Sequence, residues 1–184
     1  FERFADVLGL GFSSFTSGTE FLKFCSPETK GCLVLDIWLP DMMGLDLYDQ
    51  LCEQGSALSV IVISGQADIP LTVRAIKNGA VDFLEKPFTN SVMLERIRHG
   101  IELSEKRYAQ LQANAEYENR YARLTSREKE IIAYLIDGNQ NKEIAKELSI
   151  SRRTVEAHRA NIKAKLGIRS ISEIVKRSFL SDQA

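Results

Sequence analysis

Apolar positions in the first hundred residues follow two rhythms. Continuous runs occupy Cys32-Leu33-Val34-Leu35 and Val60-Ile61-Val62-Ile63, and Val81-Asp82-Phe83-Leu84 is a third, broken by one acid. Short runs of this kind, bounded by turn residues, predict strands buried on both faces. Helical spacing lies between them. Leu45, Leu47, Tyr48 and Leu51 follow Gly44, and Val73 and Ile76 precede Asn78-Gly79. Asp68 is the expected cap of that second helix, and Pro70 is tolerated in its first turn. Further upstream, Phe1, Phe4, Ala5 and Leu8 fall at i, i+3, i+4 and i+7, one helix face ended by Gly9 and Gly11. Residues 11–17 carry Phe12 and Phe15 and predict a short strand. Phe21, Leu22 and Cys25 predict a short helix stopped at Ser26-Pro27. Alternating strands and helices predict a parallel sheet covered on both faces.

Beyond Phe88 the strands stop. Residues 89–122 hold a single glycine, Gly100, and no proline. Leu94, Ile97, Ile101, Ser104, Tyr108, Leu111 and Ala115 recur at spacings of three and four, a weak heptad seam. A helix over 89–122 would be about 50 Å long. Its later part is either a semi-rigid rod or a solvated, partly frayed connector. Thr125 and Glu128 then form a capping box, and Ile131, Ile132, Leu135 and Ile136 line a helix ending at Gly138. Residues 141–148 predict a second helix, and Ser149-Ile150-Ser151 a tight turn. A third helix over 152–166 turns Val155, Ile162 and Leu166 inward and stops at Gly167. Ser170 and Glu173 make another capping box, opening a fourth helix with Ile174 and Val175. Two short helices joined by a three-residue turn describe a helix-turn-helix.

The net charge of −1 hides an asymmetry. Residues 123–184 carry 13 Lys and Arg against 8 Asp and Glu, and residues 1–122 carry 11 against 17. An acidic half joined to a basic half points to a nucleic-acid partner for the second. No stretch approaches the roughly 18 unbroken apolar residues of a membrane span, and no signal peptide is visible. Cys25, Cys32 and Cys52 lack metal-ligand spacing. They fit small apolar fillers in a reducing cytoplasm.

Chemistry gathers at the strand ends. The first run closes on Asp36, the second on Ser64, and the third leads to Lys86. In open parallel sheets, ligands collect outside the carboxyl ends of strands. An Asp there is a nucleophile or metal ligand, or else a strand-end residue capping the next loop. With an acid, a hydroxyl and an ammonium at one edge, phosphoryl chemistry makes sense. The carboxylate attacks phosphorus and becomes an aspartyl phosphate. The ammonium and hydroxyl bind phosphoryl oxygens, and magnesium would neutralise charge between them.

The pieces Leu-Val-Leu-Asp-Ile-Trp-Leu-Pro-Asp-Met-Met-Gly (33–44), Ile-Val-Ile-Ser-Gly (61–65) and Gly-Ala-Val-Asp-Phe-Leu-Glu-Lys-Pro-Phe (79–88) resemble the receiver domain of two-component response regulators. The resemblance covers 1–103 and implies a CheY-like, flavodoxin-like doubly wound α/β fold. It implies that Asp36 accepts phosphate from a sensor histidine kinase and that Lys86 binds the phosphate. Ser64 and Phe83 would be the switch pair, Lys86-Pro87 a cis peptide, and the backbone carbonyl of Trp38 a magnesium ligand beside Asp36. Receivers of this family open with a strand ending in two acidic residues. This sequence starts within the following helix, so that strand is expected to be missing and Mg2+ binding to be weakened. A natural chain about 20 residues longer is the expectation.

On the third helix of the second half, Arg152, Arg153, Thr154, Glu156, Ala157, Arg159, Ala160 and Lys163 form the expected outward face, with Lys142 on the helix before it. The Arg and Lys side chains suit phosphates. Ala157 and Ala160 permit close approach to bases, and Glu156 suits cytosine N4. His158 is expected to be packed or to cap the helix. Leu-Thr-Ser-Arg-Glu (124–128), Asn-Lys-Glu-Ile-Ala (141–145) and the run from Ser151 to Leu166 resemble the LuxR-type helix-turn-helix of NarL/FixJ response regulators, the FixJ-like branch best. That resemblance implies a small four-helix DNA-binding domain over 123–184, reached through a helical linker over 104–122.

The expectation is therefore a cytoplasmic transcription regulator, not an enzyme and not a membrane protein. Phosphorylation at Asp36 would promote homodimerisation and sequence-specific binding to double-stranded promoter DNA. The expected dimer face is 70–78, Phe83 and the last receiver helix. One rival is a DNA-binding protein with a degenerate receiver. Another is a phosphatase with an aspartyl nucleophile, which usually needs a second carboxylate two residues on, where Trp38 stands.

Overall fold

A computed structural model describes Asp6, Gly9 and residues 11–66 and 68–181, with the side chains of 178–181 not included. The expected first helix at Phe1–Leu8 lies outside the described residues. The chain divides into two compact units, Phe1–Gln112 and Ala113–Ala184.

In the first unit the elements alternate: α1 (Gly18–Phe24), β1 (Cys32–Asp36), α2 (Gly44–Glu53), β2 (Ser59–Ser64), α3 (Ile69–Lys77), β3 (Asp82–Glu85) and the start of α4 (Asn90–Ala122). The sheet has the order β1-β2-β3 with both pairings parallel. Every residue of the central strand β2 is buried, as its unbroken apolar run requires. On one side Leu35, Leu45, Leu47, Leu51, Val60 and Val62 pack with Tyr48 and Phe21. On the other, Ile61, Ile63 and Met93 meet Cys32, Val34, Leu84, Phe88 and Ile97. Each fully buried aliphatic side chain contributes about 1.5–3 kcal/mol relative to exposure.

Two local expectations are corrected. Residues 11–17 form no strand. Ser17 instead caps α1 by accepting from the Glu20 N–H, and the Glu20 carboxylate reaches back to the Thr16 N–H and hydroxyl, so local hydrogen bonding takes over these residues. Among the described residues no strand borders the outer edge of β1. Asp68 occupies the cap position of α3, but its side chain makes no capping bond, and its carbonyl accepts from Thr72 instead.

Helix α4 runs unbroken for 33 residues. In the first unit Gly100 lets it approach β1, since a Cβ there would lie 2.7 Å from Cys32 Sγ. Ser104 Oγ accepts from the Gly31 N–H at 2.9 Å. Burial pushes the Cys32 thiol up to about 12, which keeps it a protonated filler. The heptad seam is only partly used: Ser104 is buried, whereas Leu111 and Ala115 are exposed.

The second unit contains the last turns of α4, then α5 (Ser126–Ile136), α6 (Asn141–Glu147), α7 (Arg152–Leu166) and α8 (Ser172–Ser181). Its core joins Ile131, Ile132, Leu135, Ile144, Val155, Ile162, Leu166 and Ile174, with Tyr117 and Tyr121 of α4 against it. Ser151 caps α7 through the Thr154 N–H, and Gly167 ends it in the left-handed conformation. At the start of α6 the Glu143 carboxylate accepts from the Gln140 N–H, half of a capping box that the sequence pattern did not suggest. The box expected at Ser170 is half made: Glu173 accepts from the Ser170 N–H, while Ser170 Oγ turns to Ser172 and α8 begins two residues later. Among the described residues no helix is long and apolar enough to cross a membrane.

Glu128 ties this unit together. It is 2% exposed, accepts from the Thr125 N–H and hydroxyl, and pairs with Lys165 Nζ at 2.7 Å. Burial pushes its carboxyl up, but the Lys165 and Thr125 bonds outweigh that and hold it below the ordinary glutamate range. Glu128→Ala is expected to lower the stability of this unit by about 2 kcal/mol, from the lost cap and the broken buried pair. Lys165 is partly exposed and can rehydrate, which limits the loss. Because the folded-state value is depressed, the contribution is present above the unfolded value and is lost as pH falls through the folded one. Thermal unfolding from pH 7 to pH 3 should show a shallower acid-side decline for Glu128→Gln than for the wild type.

Candidate functional site

Parallel register brings the three strand ends together. Asp36 lies opposite Ile63, and Ser64 opposite Glu85. The chain continues past both edges in register: the Ile37 N–H donates to the Ile63 carbonyl, and the Lys86 N–H to the Ser64 carbonyl. Lys86, one residue beyond β3, reaches back across the sheet edge, and its Nζ stands 2.6 Å from Asp36 Oδ2. The other carboxylate oxygen accepts from the Trp38 N–H at 3.2 Å. Both groups remain partly exposed, the side chain of Lys86 at 42% and that of Asp36 at 33%, so the pair is open to an incoming anion. Lys86-Pro87 is a cis peptide.

Ser64 sits at this edge with its hydroxyl engaged elsewhere. It is 1% exposed, donates to the Gln66 carbonyl at 2.8 Å and accepts from the Gln66 N–H. The expected convergence of three side chains is therefore complete for Asp36 and Lys86 and not for Ser64. Phe83 is half-buried against the core that contains Tyr48 and Val62. Trp38 is 67% exposed.

Two residues that shape the site were not singled out from the sequence. Gly44 closes the loop after Asp36: its N–H donates to the Ile37 carbonyl, and a Cβ would fall 2.1 Å from the Asp36 carbonyl oxygen. Asp41 anchors the same loop to α1 by accepting from the N–H groups of Gly18 and Thr19 and from the Thr19 hydroxyl. The Thr19 bonds hold its carboxyl down to about 2. The Pro-Asp-x-x-Gly spacing of residues 40–44 was the available signal.

Magnesium takes oxygen ligands and keeps several waters. Asp36 is a fitting donor. Among the described residues, however, no three His, Cys, Asp or Glu side chains gather to hold a metal ion. These residues alone do not form a complete cation site.

In the second unit, α7 exposes Arg152, Arg153, Thr154, Glu156, Ala157, Ala160 and Lys163, and α6 exposes Lys142. His158 is half-buried. Arg159 departs from the expectation of a free outward side chain. It is half-buried and donates to Asn141 Oδ1 at the start of α6, which orients the guanidinium. An open groove of about 620 Å³ runs along this face, lined by Glu156, Arg159, Ala160, Lys163 and Arg169.

Residues 2–98 match the model of the response regulator receiver domain, and residues 122–178 that of the luxR family of bacterial regulatory proteins. The chain is 39% identical over 176 residues to the transcriptional regulatory protein FixJ of Azorhizobium caulinodans, covering 96% of this chain and 83% of that protein. It is 39% identical over 169 residues to the response regulator protein TodT of Pseudomonas putida, covering 92% and 74%. Among solved structures, that of the response regulator StyR aligns with a TM-score of 0.75 at 37% identity, covering 95% of this chain and 90% of that one.

The contact at Gly44 is expected to be unforgiving, because the atom a Cβ would meet is backbone. Gly44→Ala should destabilise the first unit by about 1–3 kcal/mol, the usual range for overpacking. Gly65→Ala, where the space is open, should change little. Urea midpoints of the two variants would show the difference.

Proposed function

The chain belongs to the two-component response regulators that join a receiver to a LuxR-type DNA-binding domain and regulate transcription, and on that premise we propose that Asp36 is its phosphoacceptor. The observation that carries this is the 2.6 Å contact between Asp36 and Lys86 at the sheet edge. A carboxylate oxygen of Asp36 attacks the phosphorus of a phosphohistidine on a sensor kinase. The P–N bond breaks, the imidazole keeps the electron pair, and an aspartyl phosphate forms. Lys86 then exchanges the carboxylate for a phosphoryl oxygen in a charge-assisted hydrogen bond. Mg2+ would be held through Asp36 and the Trp38 carbonyl and would neutralise charge between carboxylate and phosphate.

Ser64 must give up the Gln66 carbonyl to reach the phosphate, and Phe83 packs into the space it leaves. Phosphate thus biases an equilibrium between two arrangements instead of creating a third. The surface that reports the change is a dimer face of α3, Phe83 and α4. Ile69, Val73 and Ile76 are exposed there at i, i+4 and i+7, a stripe that favours self-association. The receiver comprises 1–103, the connector 104–122 and the DNA-binding domain 123–184.

On promoter DNA, α7 enters the major groove. Lys142, Arg152, Arg153, Thr154, Arg159 and Lys163 meet phosphates, while Glu156, Ala157 and Ala160 face bases. Arg159 makes its contact from the side fixed by Asn141.

Acetyl phosphate is expected to shift the wild type from monomer to dimer in sedimentation runs and to leave Asp36→Asn monomeric. A variant that dimerises as readily as the wild type would mean another acceptor. For DNA, Lys163→Ala should flatten the slope of log affinity against log salt by about 0.9. Glu156→Ala should leave the slope unchanged or slightly steeper and relax preference at one base pair by roughly 1–3 kcal/mol. Binding titrations at several salt concentrations, on target and random duplexes, separate the two effects.

A further inference from the structure

The C-terminal end of α7 is held from outside the helix-turn-helix. The last carbonyls of a helix lack partners within it and carry its negative dipole end. At Gly167 the chain turns left-handed, with φ of 68°, and the N–H groups of Gly167 and Ile168 both return to the Lys163 carbonyl. The Leu166 carbonyl accepts from Arg120 Nη1 at 3.1 Å, while Nη2 of the same guanidinium pairs with Glu116 one turn earlier in α4. The approach is close enough that a Cβ on Gly167 would lie 2.2 Å from Nη1. Next to Arg120 on α4, Tyr117 and Tyr121 stack on each other, with the Arg177 guanidinium 4.1 Å over the Tyr117 ring and Lys129 Nζ 5.4 Å over the Tyr121 ring, so this end of α4 is fastened to the second unit. Arg120 and Tyr117 both precede the luxR family match, which begins at residue 122.

We propose that Arg120 is a positioning residue for DNA recognition: from the connecting helix it caps the C-terminal end of α7 and sets the seat of that helix. Its fork takes Glu116 with one arm and the Leu166 carbonyl with the other, which a lysine's single ammonium does less well. The base-facing residues Glu156, Ala157 and Ala160 lie on the helix so held. Arg120 therefore acts on sequence choice without touching DNA. The inference rests on the DNA-binding role of α7 given above.

The test uses the full-length protein and two probes, a duplex selected by the wild type from a random pool and a random-sequence duplex. Arg120→Gln keeps helix propensity and much of the bulk. It should weaken binding to the selected duplex by about five- to tenfold, the scale of one ordinary hydrogen bond, since the guanidinium is partly exposed to water. It should affect the random duplex less and leave the salt slope unchanged. Arg120→Lys should fall between, and it decides the matter if the Gln variant fails to fold. A selectivity ratio that stays at the wild-type value, whatever the melting temperature does, would reduce Arg120 to a structural contact and overturn the proposal. A salt slope lower by about 0.9 would make it a phosphate contact and overturn it too. Failure of the wild type to select any duplex would instead strike the DNA-binding role of α7.

Discussion

Parallel pairing of β2 with a strand on each side is the constraint on which the first unit depends. Parallel strands end at the same edge, so whatever follows each apolar run is delivered to one place. With β2 buried at every position, its register cannot slip without putting apolar side chains into water or leaving backbone groups unpaired. Asp36 and Lys86, fifty residues apart, are thereby held within 2.6 Å. The loop after β1 completes the arrangement. Gly44 touches the Asp36 backbone, and Asp41 fastens the loop to the start of α1.

That edge is built to be rearranged. The Asp36–Lys86 pair is partly exposed, and pairs in such surroundings contribute modestly to stability because water competes with each partner. On the role proposed for Asp36, a phosphoryl group would replace one set of charge-assisted bonds with another. In the structure Ser64 is bonded to the Gln66 main chain, and Phe83 packs on the core around Tyr48. Small differences in free energy between such arrangements are what a ligand can tip.

The second unit solves a different problem. Its helices are short, from 7 to 15 residues, too short to stand alone in water. Side chains that satisfy helix ends therefore matter as much as the core. Glu128 is at once the capping-box acid of α5 and the partner of Lys165 on α7. Arg127 donates to the Leu148 carbonyl at the end of α6, and Arg120 to that of Leu166 at the end of α7. Charged groups at helix termini thus tie α7 to α5 and α4, and its basic, small-residue face is turned outward.

Much of this was legible in the sequence. Unbroken apolar runs specify buried parallel strands because both faces must avoid water, and β1, β2 and most of β3 were found that way. The bounds of α7 followed from Ser151 and Gly167, since caps are local chemistry. Asp36 and Lys86 were visible because strand ends carry the unusual residues. Tertiary structure decided the rest. Residues 11–17 have strand-like apolar content, but they form no strand, and Phe15 packs against Phe21 and Phe24 of α1 instead. Arg159 shares the outward helical spacing, yet Asn141 draws it in. That the Ser64 hydroxyl bonds to the Gln66 main chain is a matter of how the loop folds, and no spacing encodes it. Gly44 and Arg120 matter only through what lies against them. Sequence patterns report a residue's own periodicity and local bonds. Contacts between residues distant along the chain exist only after the elements have packed.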